Sequence, residues 1–107
     1  MLKDLTMNNY QAEALSFRLE EADELYAKFG LVGEIGELFS LLAKARRDGR
    51  LPEHDLNVKK ELGDALWFIA AVAMDHGYTL EEIGESNLSK LRNRKSNNTL
   101  RGSGDNR

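Results

Sequence analysis

The chain reads as all-α: four helices in a bundle that oligomerisation, as a dimer or a dimer of dimers, completes. Three observations predict this. Apolar residues recur at helical spacing, with no convincing alternating strand. Thr79-Leu80-Glu81-Glu82 is a capping box that opens a helix. Ala65 to Met74 is apolar on every side, and a helix of that kind must be covered all round. Three other helices in one small subunit struggle to do so, and a second subunit against this helix is the expected remedy.

The first helix is predicted from about Asn8 to Lys28, with Leu15, Leu19, Ala22 and Tyr26 along one stripe. Gly30 is read as its interruption. The second runs from about Val32 to Arg47, with Leu31, Ile35, Leu38, Leu42 and Ala45 as core face and Glu34, Glu37 and Lys44 off it. Asp48-Gly49-Arg50-Leu51-Pro52 has the chemistry of a turn. The third spans roughly Leu56 to His76 and stops at Gly77, a natural residue to follow a helix end. The fourth runs from the capping box to about Arg94. Residues 1–94 thus form one helical domain, and 95–107, polar and glycine-containing, a flexible basic tail.

The totals exclude several classes. A chain of 107 residues is one domain. No cysteine means no disulfide and no thiolate metal site. The first residues lack an apolar signal core, and the longest apolar run is too short to span a bilayer, so a cytoplasmic address is expected. The net charge of −3 hides an asymmetry: residues 1–85 carry 9 basic and 17 acidic residues, residues 86–107 carry 6 basic and 1 acidic. The basic end is short and lacks interleaved aromatics. An anionic ligand smaller than a polynucleotide fits it better than a nucleic acid does.

The stretch Gly33-Glu34-Ile35-Gly36-Glu37 is answered by Glu61-Leu62-Gly63-Asp64. Each sets two carboxylates three residues apart, on one face of a helix. Glycine inside a helix costs roughly 1 kcal/mol relative to alanine. Its use at 33, 36 and 63 suggests two helix backbones brought close, so that four acids converge. One Glu-x-x-Glu pair alone reads as solvated surface. The second pair, however, directly precedes the most apolar segment, so its turn is at least partly buried and its carboxylates need a partner. Few cations are placed to pair all four, and a metal is the economical solution. His54 and His76 do not stand three residues from an acid in di-iron fashion and read as loop and helix-end residues. An all-oxygen set selects hard cations, Mg²⁺ first with Mn²⁺ as substitute. Because Mg²⁺ completes its shell with substrate phosphates, a phosphorylated substrate follows.

Asn87, Lys90 and Arg94, spaced three and four apart, share a face suited to phosphate oxygens, though a solvated basic face has the same pattern. Lys44 is a weaker phosphate candidate, since a lysine near a helix C-terminus also suits the dipole. Tyr10, Tyr26, Phe29 and Trp67 are able to stack on a base, and Trp67, three residues after Asp64, points near the acids. Aromatics at helical spacing also build cores.

Leu31-Val32-Gly33-Glu34-Ile35-Gly36-Glu37-Leu38, Glu61-Leu62-Gly63-Asp64-Ala65-Leu66-Trp67 and Asn87-Leu88-Ser89-Lys90-Leu91 resemble the MazG-like family. These are all-α nucleoside triphosphate pyrophosphohydrolases related to dimeric dUTPases and dCTP pyrophosphatases. The resemblance runs from about Tyr10 to the end, and Gly102-Ser103-Gly104-Asp105-Asn106-Arg107 looks like the ending of short bacterial and phage members. It implies Glu34, Glu37, Glu61 and Asp64 as Mg²⁺ ligands, and Glu34 or Glu37 as acceptor of a proton from water attacking the α-phosphorus. The residues themselves offer Asn87, Lys90 and Arg94 to the substrate's phosphates, with Lys44 and Trp67 as weaker substrate contacts, and the expected products are a nucleoside monophosphate and pyrophosphate. Gly33 stands where the family pattern has another Glu, which leaves the general base open between the two acids. Two alternatives remain beside this reading: a phosphoribosyl-ATP pyrophosphohydrolase, and an inactive oligomeric nucleotide-binding or interaction module.

Overall fold

The computed structural model describes residues 4–49 and 56–104. Its order is α1 (Met7–Leu15), α2 (Glu24–Arg47), α3 (Leu56–Asp75) and α4 (Leu80–Ser96), with no strand among the described residues. The all-helical architecture expected from the sequence is thus present. His54, Arg50, Leu51 and Pro52 fall outside the described residues, as do Asp105, Asn106 and Arg107.

The first helix is shorter than its periodicity predicts, and Gly30 does not interrupt anything. α1 ends at Leu15, and the chain then turns so that Ser16, Phe17 and Arg18 each donate to a carbonyl three residues back. Arg18 pins this turn. Its Nε donates to the Ala22 carbonyl at 2.7 Å, and its two Nη groups meet both Asp75 oxygens at 2.9 and 3.0 Å. Asp23 then caps a new helix by accepting from the Tyr26 N–H at 2.9 Å. Leu19 and Tyr26, expected in the core, are consequently exposed. A cap and a half-buried ion pair outweigh an uninterrupted apolar pattern.

α2 and α3 form the main helix pair. Gly30 lies against Phe68, while Glu34 lies against Glu61, so one helix descends as the other rises. A Cβ on Gly30 would overlap the Phe68 ring, which is wedged between Tyr26 and an edge-on Trp67 with its centroid 5.2 Å away. Gly30 is therefore the glycine that admits close approach. Gly33, Gly36 and Gly63, to which the sequence reading gave that role, have nothing within 4 Å of an added Cβ. The core beneath is small-residue packing: Ala27, Ala70, Ala71 and Ala73 with Leu15 and Leu80.

α1 and α4 are tied to this pair by polar clamps. Gln11, only 6% exposed, donates from Nε2 to the carbonyls of Ala70 (3.1 Å) and Tyr78 (3.2 Å) and accepts from the Leu80 N–H at 2.9 Å. Asn8 takes the Glu81 N–H at 3.0 Å, and Thr79 takes that of Glu82 in the expected capping box. Three orphan donors at the start of α4 are thereby satisfied. α3 closes at Gly77, whose φ of 81° permits the Tyr78 N–H to reach the Ala73 carbonyl at 2.8 Å. α4 repeats this ending with Asn98 in the same backbone region and Thr99 bonded to the Arg94 carbonyl.

Among the described residues α4 packs on α1 and α3 but not on α2. The radius of gyration is 16.7 Å, against about 13 Å for a compact chain of this length. The apolar run on α3 is largely covered within the subunit: Ala65, Ala70, Ala71 and Ala73 are buried, whereas Leu66, Ile69 and Met74 remain partly exposed.

Candidate metal centre and adjoining pocket

Glu34 projects from the middle of α2 toward α3, and Glu61 and Asp64 from the opening turns of α3. The antiparallel register brings them together: one carboxylate oxygen from each lies within 4.8 Å of the others. Glu37 offers no oxygen to this trio, yet its charge acts on Glu34.

The electrostatics follow from the crowding. The Glu34 carboxyl is pushed up to about 7, chiefly by burial, then by the hydrogen-bonding contact with Glu61 and by the charges of Glu37, Asp64 and Glu61. Oε2 of Glu34 and Oε2 of Glu61 are both buried without a donor. Two ionised carboxylates are acceptors only, so such oxygens require a shared proton or a cation between them. The donor set is oxygen throughout, with no histidine or cysteine, and it fits a hard divalent ion such as Mg²⁺ or Mn²⁺.

Asp64 belongs to a second feature. A pocket of about 400 Å³ opens between α1 and α3, lined by Tyr10, Glu13, Phe17, Gly63, Asp64 and Trp67 among others. The Trp67 indole N–H donates to the Ala14 carbonyl at 2.9 Å, which fixes the ring as one wall. Burial and the Asp64 charge push the Tyr10 phenol up, a sign that the slot and the acids share one field. The lining is mostly aromatic and apolar, with carboxylates at two points. It suits a flat ring whose charged end reaches the acids.

The other candidates are placed as follows. Tyr26 packs on Phe68 and Phe29 is exposed, neither lining this pocket. Lys44 is exposed in the last turn of α2, roughly 10 Å further along the helix than Glu37. Asn87 and Lys90 are exposed on α4. Arg94 is 7% exposed, and one Nη donates to the Gly104 carbonyl at 3.3 Å, so this guanidinium holds the chain's own final turn rather than standing open on the surface. His76 is exposed just past α3.

Glu13 and Phe17 line the pocket without having been singled out in the sequence, and Gly63, singled out for close helix approach, lines it as well. A signal was there: Tyr10, Glu13 and Phe17 follow one another at helical spacing of three and four, although Phe17 lies just past the end of α1. The periodicity instead draws the eye to the apolar stripe Leu15, Leu19, Ala22 and Tyr26 on the same stretch.

A family model described as "MazG nucleotide pyrophosphohydrolase domain" matches residues 22–99. This span carries all four acids and excludes the α1 wall of the pocket. The chain is also 38% identical over 85 residues to the Gene 37 protein of Mycobacterium phage L5, covering 77% of this chain and 75% of the relative. No solved structure matches.

Proposed function

The chain belongs to the MazG nucleotide pyrophosphohydrolase family, and from that premise we propose that it hydrolyses (deoxy)nucleoside triphosphates to the monophosphate and pyrophosphate. The observation that carries this reading is the convergence of Glu34, Glu61 and Asp64 on one point beside an aromatic pocket that Asp64 also lines.

Glu34, Glu61 and Asp64 would hold Mg²⁺ or Mn²⁺, with Glu37 next to them. When bound, such an ion supplies a lowered pKa for a coordinated water and neutralises charge on the phosphates. The two buried orphan oxygens then gain the partner they lack. Glu37, outside the trio of converging oxygens and exposed, is the acid left to accept a proton from water as its oxygen attacks the α-phosphorus. The bond to the bridging oxygen breaks, and pyrophosphate leaves with the electron pair. The base lies between Trp67 and Phe17, which orients the α-phosphate toward the acids. Asn87, Lys90 and Lys44 are the surface groups offered to the leaving phosphates, and Arg94 shapes the turn beside them. Self-association as a homodimer or homotetramer belongs to the same reading, and the open arrangement of the helices supports it.

The test is a panel of canonical and modified triphosphates with Mg²⁺, followed by separate measurement of pyrophosphate and orthophosphate. Pyrophosphate release that disappears in Asp64→Asn while the helical signal persists supports the assignment. Tight nucleotide binding with no release identifies an inactive module instead, and release from phosphoribosyl-ATP alone identifies the other pyrophosphohydrolase.

A further inference from the structure

The pocket beside the acids holds a carboxylate that the hydrolysis does not use. Glu13 lines it from α1, while Asp64 lines it from α3 on the facing wall. Glu13 takes no part in the converging trio of Glu34, Glu61 and Asp64. Tyr10 precedes it by three residues and Phe17 follows it by four, and both line the same pocket. An acid thus stands between the two aromatic side chains of the α1 wall.

Hydrogen-bonding capacity decides which ring edge such a wall accepts. The Trp67 indole N–H is already spent on the Ala14 carbonyl at 2.9 Å. Among the described residues that line the pocket, none is a lysine, arginine, histidine, asparagine or glutamine. Tyr10 brings a hydroxyl that both donates and accepts, so it chooses little between bases. An ionised carboxylate only accepts. It suits an edge with two adjacent N–H donors and opposes one that presents a carbonyl oxygen or a ring-nitrogen lone pair. Of the common bases guanine alone offers that pair, N1–H beside the 2-amino group. Adenine and cytosine set a ring-nitrogen acceptor next to their amino group, and uracil and thymine flank N3–H with two carbonyls. The space agrees with two fused rings. The pocket holds about 400 Å³, and at Gly63 on the α3 side an added Cβ would meet nothing within 4 Å.

We propose that Glu13 determines base specificity by accepting from N1–H and the 2-amino group of guanine, which makes a guanine nucleoside triphosphate the preferred substrate. This rests on the hydrolase reading above, in which the base lies between Trp67 and Phe17. The competing account is a solvated helix-surface glutamate, and Glu13 is indeed exposed in the chain by itself. Its charge would then weaken every nucleotide alike, because all carry the same triphosphate. Only the ratio between bases reports recognition of an edge.

Binding measures that ratio without turnover. Trp67 is the sole tryptophan of the chain and forms one wall of the pocket, so its fluorescence reports occupancy. The probes are the α,β-imido analogues of dGTP, dITP and dATP with Mg²⁺, which resist cleavage at the α-phosphorus. Hypoxanthine keeps N1–H but lacks the 2-amino group. The wild type should bind the dGTP analogue roughly tenfold or more tightly than the dITP analogue, and the dATP analogue most weakly. Glu13→Gln, equal in size, should bring the dGTP-to-dITP ratio close to one with the helical signal intact. Equal affinities in the wild type, or a guanine preference that survives Glu13→Gln, overturn the proposal and leave the hydrolase reading standing. A guanine preference that depends on Glu13, without pyrophosphate release from dGTP itself, supports the base assignment and overturns the catalytic one. No binding of any analogue overturns both.

Discussion

Glu34 and Glu61 face each other across the contact of α2 with α3, each with one buried oxygen that has no donor. Like charges held this way oppose folding unless something neutralises them. On the proposed reading, the site is built at the expense of the metal-free protein's stability.

The sign of the resulting pH dependence is fixed. The Glu34 carboxyl titrates at about 7 in the folded chain against an ordinary 4.5, so the folded state holds the proton more tightly. The stabilisation is complete below about 4.5 and is lost as pH rises through about 7. In EDTA, the Tm should fall between pH 5 and pH 7.5. Millimolar Mg²⁺ should flatten that slope, because the cation takes the proton's place. A Tm that climbs with pH in EDTA would contradict this account.

Glu61→Gln should separate activity from stability. Losing one converging oxygen is expected to reduce pyrophosphate release by roughly 100-fold or more. The same change removes a repulsion and restores a donor opposite Glu34, so Tm in EDTA should rise. Steady-state rates and thermal melts on one preparation check both signs.

The glycines should divide by position. Gly30→Ala drives a methyl into the Phe68 ring and is expected to cost about 1–3 kcal/mol. Gly33→Ala meets nothing and gains helix propensity, for up to about 1 kcal/mol of stabilisation. Urea denaturation of the two variants reads the difference directly.

Gln11→Leu keeps the bulk but strips the clamp between α1, α3 and α4. With the Leu80 N–H and the Tyr78 carbonyl left in a buried place, a loss of about 2–3 kcal/mol is expected. Hydrogen exchange should show the start of α4 opening first.

Phe17→Ala addresses the pocket. Phe17 is 75% exposed in the chain by itself, so Tm should not change. Losing one stacking face for a base should raise KM roughly tenfold with kcat little altered. An unchanged KM across the triphosphate panel would place the base elsewhere.

The amino-acid sequence by itself determined the helical class, the stop at Gly77, the capping box at Thr79 and the four acids, because each is a local pattern. A cap, a turn glycine or an i, i+3 pair depends on neighbours a few residues away. The register of α2 against α3, which gathers Glu34 with Glu61 and Asp64 and leaves Glu37 aside, was decided only in three dimensions. So was the end of α1, set by Arg18 reaching Asp75 across 57 residues. So too was the contrast between Gly30, which Phe68 requires, and Gly36, which nothing in the subunit requires. Each of these rests on contacts between residues remote along the chain. Hydrophobic periodicity tells how many faces a helix has, while packing alone decides which neighbour each face receives.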